Sequence, residues 1–381
     1  MANLFENPDI IAQEALMHLE DALTITRVAT RDATEEFQRG MKIGDTYRIK
    51  TLPEGTASEF TSSITVQDIR ESVRPLTIEK HFDYSVGLSA RNMALEFEDF
   101  SAQVLRPAAY KLAEKVEDYV GTKILNSAGQ YNSGSLFATV ADLALARKEA
   151  NYQQLNRAGR FVICNNDFEA ALLGLDYFNR ADTRGDQYNQ QALAEGFMAR
   201  TMGFDFYASL HMPTQSMTHG DGTATTNNTG GTTNLVGHTT LVCTAITAGT
   251  GIKANDRIRI AGVRRPLRVA ANAAATATSI TLSDPITEII PDGAAITVIA
   301  SGLATELKAV MFDGRGLGVA FPPLDLPVGS NIVAGQGRGN GLSIRMVRGY
   351  NMDTKLTTMS LDLLCGAECI DPRHSLILTE S

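Results

Sequence analysis

Tryptophan is absent from the 381 residues, cysteine occurs four times and histidine six. The cysteines (Cys164, Cys243, Cys365 and Cys369) are scattered and suit a reducing cytoplasm. The histidines are dispersed, and none forms a pair at metal-ligand spacing such as HExxH. Basic charge is short as well: 34 Lys and Arg against 43 Asp and Glu leave a net charge of −9. That balance opposes tight binding to a nucleic-acid backbone, which needs clustered cations. No apolar run approaches the roughly 18 residues of a membrane helix. The N-terminal MANLFENPDIIAQEAL carries Glu6 and Asp9 and lacks an apolar core, so no signal peptide is expected. These shortfalls describe a soluble protein made in the cytosol. No GxSxG elbow occurs either, and no nucleophile–base pair is evident.

What the chain does have is a 44% hydrophobic, 20% charged composition, long enough for two or three domains. Its texture changes in the last third. Thr218 to Asn234 is low-complexity Thr/Gly/Asn, and short strands and turns follow to about Ser301. There Ile258 and Ile260 alternate with Arg257 and Arg259, Ile280 and Leu282 with Ser279 and Thr281. This is the pattern of a small β domain inserted into a larger α+β domain.

Upstream, Ile10 to Ala29 reads as an amphipathic helical arm ended by Gly40 and Gly44. Residues 55–75 are polar and read as a long projecting hairpin. Leu76 to Ser89 is expected as one strand with Leu76, Ile78, Phe82, Tyr84, Val86 and Leu88 on one face. A helix of nearly 30 residues follows, with Phe97, Val104, Leu112, Val116, Val120 and Ile124 at helical spacing; Pro107 either kinks it or begins its main segment. A second helix (Val140 to Leu155), a buried strand (Arg160 to Cys164), an Asn-capped helix (Asp167 to Leu175) and two closing strands (Leu342 to Val347, Thr354 to Ala367) complete the pattern.

Each chemical candidate has a plainer rival. His219 with Asp221 offers two cation ligands, but a solvated loop is preferred. Cys365 and Cys369 form half a zinc site; packing is preferred, since cysteine behaves as a small apolar residue. Gly335, Gly337, Gly339 and Gly341 lack the Lys-Ser/Thr of a phosphate loop and read as a flexible, turn-rich loop. Arg264-Arg265-Pro266-Leu267-Arg268 is the compact basic cluster; it offers a nucleic-acid contact, but a solvated, guarded strand edge or a subunit salt bridge is preferred. No catalytic, cofactor or metal residue is expected.

The order of elements, with LRPAAYKLAEKVEDYVGTKIL (Leu105 to Leu125), GFDFYASLHMP (Gly203 to Pro213), GIKANDRIRIAGV (Gly251 to Val263) and the run from Leu342 to Pro372, resembles the major capsid proteins of tailed bacteriophages with the Hong Kong 97-type fold. More narrowly, it is similar to coat proteins of short-tailed Salmonella-type phages, which carry an inserted β-barrel domain. The resemblance implies an N-terminal arm (1–40), an extended loop (41–75) and a peripheral domain with the spine helix (76–135, completed by 351–381). It also implies an axial domain in two parts (136–217 and 302–350) around the inserted β domain (218–301). Extended-loop residues Pro53, Glu54, Glu59, Asp68, Arg70, Glu71 and Arg74 are then expected at subunit contacts, with Arg257, Arg259, Arg264 and Arg265 as inserted-domain contacts.

The implied function is an icosahedral shell of hexamers and pentamers in the virion, built in the bacterial cytoplasm around double-stranded DNA held without specific binding. A separate scaffolding protein and a portal protein are implied as partners, and a decoration protein is a further one. An encapsulin-like cellular shell and an α+β hydrolase with a β accessory domain are the alternatives.

Overall fold

The period-two pattern around His81 resolves into the strand Lys80–Ser89, which pairs antiparallel over its full length with the long strand Leu356–Glu368. This computed structural model describes residues 8–31, 46–51, 60, 72–89, 101–125, 129–132, 139–157, 159–175, 200–212, 216–228, 231, 233–247, 249–283, 285–299, 304–329, 332–352, 356–371 and 374–380. The chain forms two units. The first comprises Met1–Ile49, Pro75–Ile124 and Leu317–Ile370; the second comprises Lys50–Arg74, Leu125–Gly316 and Asp371–Ser381.

In the first unit, Leu356–Glu368 is the middle of a five-stranded sheet. Leu342–Asn351 and then Ile332–Gly339 lie on one side of it; Lys80–Ser89 and Gly318–Ala320 succeed one another on the other. Met359, Leu361, Leu363 and Cys365 are buried, as their alternation predicts. The expected single strand from Leu76 to Ser89 is interrupted at Ile78 and Glu79, because the chain changes partners there. Ser72–Thr77 pairs with Thr46–Thr51 as a two-stranded ribbon, whereas Lys80–Ser89 joins the larger sheet. The parity of the apolar positions survives the break: Leu76 and Ile78 sit in a small cluster with Ala320 and Leu364.

The spine helix, Arg106–Leu125, buries Ala108, Leu112, Val116, Val120 and Ile124 along one face, and Phe82 of the sheet meets Tyr119 edge-on at 6.3 Å. Its 20 residues span about 30 Å at 1.5 Å per residue. Pro107 is the second residue of this helix. Its missing N–H leaves the carbonyl four residues earlier without the usual donor, and the wider π-helical turn Ser101–Leu105 accommodates the defect. The earlier part of the expected helix, residues 91–100, lies outside the described residues, as do Gly40 and Gly44.

The arm helix, Pro8–Ala22, buries Ile11, Ala12, Ala15, Leu16 and Leu19. It lies on Ile332–Gly339, and this corrects the reading of the glycine-rich stretch as a flexible loop. A Cβ at Gly335 would stand 2.4 Å from the Pro8 carbonyl carbon, and one at Gly337 would stand 2.5 Å from the Ala12 oxygen. Bare backbone is what lets the helix approach. Asn340 (φ 47°) and Gly341 (φ 73°) then make the two-residue turn into Leu342–Asn351, matching the Asn-Gly preference of type I′ hairpins.

The second unit holds a seven-stranded sheet in the order Gly129–Asn132, Ser375–Glu380, Ala304–Asp313, Arg160–Cys164, Phe204–Ala208, Arg200–Thr201, with Ser216–Thr218 paired to the start of Ala304–Asp313. Helices Val140–Tyr152 and Asn166–Leu173 pack Leu143, Ala146, Phe168 and Leu172 against Val162, Phe204, Met311 and Leu376. Asp142 accepts from the Thr139 N–H (3.0 Å) and hydroxyl (2.9 Å) at the start of the first helix, and Asn165 accepts from the Phe168 N–H (2.9 Å) at the start of the second.

Residues 224–298 enclose a separate core of Leu241, Ile252, Ile258, Val269, Ile280 and Ile296 with their neighbours, between a four-stranded and a two-stranded sheet. Residues 317–350 belong to the first unit, and Ser375–Glu380 lies in the second unit's sheet beside Ala304–Asp313. An apolar strand pattern states which face is buried but not which sheet the strand will join.

Candidate functional site

The segment of residues 224–298 meets the rest of the second unit at a polar joint. Glu149 projects from the helix Val140–Tyr152 with its side chain only 5% exposed, against Arg257 (1%) and Arg259 (45%) from the strand Arg257–Ile260. Arg259 Nη2 donates to Glu149 Oε1 at 2.5 Å, and its guanidinium lies 6.0 Å from the Tyr152 ring centre. Arg257 Nη2 stands 3.7 Å from Glu149 Oε2, an ion pair without a hydrogen bond. With its amide oxygen turned toward Arg257, Gln153 accepts from Nε (3.1 Å) and Nη2 (2.9 Å) and donates to the Ser375 carbonyl (3.0 Å). Arg265 Nη2 donates to the Gln153 carbonyl at 3.3 Å. Arg257 and Arg265 are buried within their own chain. Arg264 is exposed, its backbone N–H donating to Glu288 at 3.1 Å, and Arg259 is half exposed.

Of the loop residues expected at subunit contacts, Pro53, Glu54, Glu59, Asp68, Arg70 and Glu71 lie outside the described residues. Arg74 sits half-buried in the strand Ser72–Thr77.

The Thr/Gly/Asn tract contains buried ligands for backbone groups. His219 Nδ1 lies 2.9 Å from Asp256 Oδ1, both side chains inaccessible, while Asp256 Oδ2 accepts from the N–H groups of Gly220 (2.9 Å) and Lys253 (2.8 Å). Asp221 instead receives the Thr250 N–H and hydroxyl at 2.8 and 2.9 Å. The solvated pair His219–Asp221 is thus replaced by two separate structural contacts. Asn228 donates its amide to the Ile290 carbonyl (2.7 Å) and accepts from Thr233 and Asn234; Asn234 brackets Val242 through both its N–H (2.7 Å) and carbonyl (2.9 Å).

Further polar centres tie strands together. In the second unit Asp313 accepts from Asn156 N–H (2.9 Å), Arg315 N–H (2.9 Å) and His374 Nδ1 (2.7 Å). Burial pushes its carboxyl up, but these donors outweigh burial and hold it below the ordinary value. In the first unit Arg345 grips Asp362 with two bonds (3.0 and 2.5 Å), and His81 Nε2 lies 3.1 Å from the same carboxylate. All four cysteines are buried, and burial pushes Cys164 up to about 12. Among the described residues no His/Cys/Asp/Glu cluster has the makings of a metal site, and no helix is long and apolar enough to cross a membrane.

No protein-family model matches the chain, and no curated protein is similar to it in sequence. Solved structures are similar in fold. A chain from Mycobacterium phage Che8 superposes with a TM-score of 0.52 at 10% identity, over 93% of this chain and 90% of that one. The capsid of an empty GTA particle gives 0.49 at 11% identity, over 94% and 90%. The capsid of Cyanophage P-SCSP1u gives 0.44 at 12% identity, over 90% and 85%. The assignment of fold rests on the first, whose score exceeds 0.5. This chain has the α+β Hong Kong 97-type phage capsid fold.

Proposed function

We propose that the protein is the major capsid protein of a tailed double-stranded DNA phage, many copies of which close into the icosahedral head as hexamers and pentamers. The observation that supports this reading is the likeness in fold to the Che8 chain over 93% of the present chain and 90% of that one. The physics of such a shell lies in many modest interfaces. A standard one buries about 1,600 Å², and closure multiplies such contacts through multivalency.

In this reading Pro53, Glu54, Glu59, Asp68, Arg70, Glu71 and Arg74 line a loop that lies over a neighbour, where charge sets register and buried apolar area supplies holding energy. Arg259 and Arg264 are the arginines of the inserted domain available for a second contact. The acidic balance of −9 suits a wall that encloses DNA without gripping it. Assembly takes place in the bacterial cytoplasm with scaffolding and portal proteins as partners.

Electron microscopy of the protein expressed with and without its neighbouring genes tests this. Closed shells of one diameter, or aberrant polyheads from the protein alone, are expected; a stable monomer in both cases refutes the reading. Deleting residues 53–74 should leave a folded subunit, by circular dichroism, that does not assemble. Normal shell yield from that deletion would refute the loop assignment alone.

A further inference from the structure

Val116, Glu117 and Val120 all lie on the buried face of the spine helix, and Glu117 is wholly inaccessible. A carboxylate on an apolar face is unfavourable unless fixed donors answer its charge. Here both oxygens are taken by the chain that follows the arm helix. Oε2 accepts from the Ile25 N–H at 2.7 Å; Oε1 accepts from the Thr26 N–H at 2.9 Å and the Thr26 hydroxyl at 2.7 Å.

The strap formed by residues 25–31 has other ties. Thr30 exchanges backbone bonds with Leu317 (3.0 Å) and Val319 (2.9 Å), and Arg31 donates to the carbonyls of Thr26 (3.2 and 3.1 Å) and Asn340 (2.7 Å). The Arg31 bonds are part-buried or exposed, where water competes for them. The Glu117 contacts are buried and charge-assisted, which makes them the stronger set.

We infer that Glu117 is a positioning residue that locks the strap of residues 25–31 to the spine helix and sets its register there. A leucine at position 117 would satisfy the packing of the helix. It would offer no directional acceptors, so the strap's register depends on the carboxylate.

The test is hydrogen exchange and limited trypsin digestion of the intact subunit carrying Glu117→Gln or Thr26→Val. A glutamine keeps the shape but turns an amide group toward N–H donors. Protection of the Ile25 and Thr26 amides should fall by about tenfold or more, the effect of losing roughly 1.4 kcal/mol of local contact. Cleavage after the exposed Arg27 should appear. The ladder between Lys80–Ser89 and Leu356–Cys365 should keep its wild-type protection.

Thr26→Val, which removes a single bond and leaves the spine helix untouched, should give a smaller loss in the same place. It keeps the proposal testable if the glutamine variant does not fold. Unchanged protection at residues 25–26 in Thr26→Val, or equal loss at the strap and the distant ladder in Glu117→Gln, overturns the inference. Neither outcome depends on whether shells form.

Discussion

Replacing Glu149 with alanine removes the carboxylate that faces two arginines at the root of the inserted segment. Arg259 is half exposed, so its pair contributes only about 0.2–1 kcal/mol, as surface pairs do. Arg257 is different: its guanidinium is enclosed, and removing one member of a buried pair typically costs about 3–5 kcal/mol. The 3.7 Å separation, with no hydrogen bond at Glu149 Oε2, and the two bonds from Arg257 to Gln153 place this case at the low end, about 3 kcal/mol. Because the chain has no tryptophan, Tyr207→Trp, on a strand of the same unit, supplies a single fluorescent reporter for urea titration. Glu149→Ala should then lower the unfolding free energy by about 3 kcal/mol, Glu149→Gln by less, and the double substitution Glu149→Leu, Arg257→Met should recover most of the loss. A Glu149→Ala effect below about 0.5 kcal/mol, or strict additivity of Glu149→Ala and Arg257→Ala, would refute the view that the pair acts as one unit.

Gly337→Ala would place a methyl group 2.5 Å from the Ala12 carbonyl oxygen; the arm helix should lift, at a cost of about 1–3 kcal/mol, seen as faster amide exchange in residues 11–19, and unchanged exchange there would remove the bare-backbone explanation. Asp313 has a lowered pKa, so its contribution is complete above the unfolded value near 3.8 and disappears as pH falls through the lower folded value. Asp313→Asn should therefore be about 1–3 kcal/mol less stable at pH 7 and converge on wild type in acid. A difference independent of pH between 7 and about 2 would show that the charge is not the cause.

Where local chemistry decides structure, the sequence is legible. The run Arg160 to Cys164 forms the buried strand it predicts, and Asn165 caps the following helix. The apolar repeat of the spine helix marks its buried face. That same repeat hides Glu117, because a reading that follows apolar positions passes over the charge among them; a lone acid on such a stripe was the available signal. Asn340-Gly341 spelled a hairpin turn that the neighbouring glycines disguised as a loop. The Thr/Gly/Asn tract was opaque for another reason. Its composition is that of a linker, and only the fold brings Asn228 and Asn234 to the carbonyl groups of Ile290 and Val242. Alternation put Arg257 and Arg259 on one face of a strand correctly, but what covers that face is the helix from Val140 to Tyr152, 110 residues away from Arg259 at the Glu149 contact.

The way the segment of residues 224–298 is attached follows from these contacts. Its two ends run side by side, Ser216–Thr218 pairing with Ala304–Glu306 in three register positions, so the chain can leave and return with little disturbance of the sheet that hosts it. A short backbone ladder of this kind, only three residues long on the Ser216–Thr218 side, fixes where the segment is rooted. The joint at Glu149 and Gln153 supplies a second point of attachment, made of directional polar bonds rather than apolar area. Orientation should therefore be governed from the helix Val140–Tyr152 and not from the segment's own core. Substitutions in the core of Ile258, Ile280 and Ile296 should loosen the segment internally, whereas those at Glu149 should leave it folded and change its angle. Small-angle scattering of the subunit with Glu149→Gln separates the two. An altered profile with unchanged exchange protection at Ile258 and Ile296 fits a joint, and loss of that protection shows instead that the carboxylate holds up the fold of the segment itself.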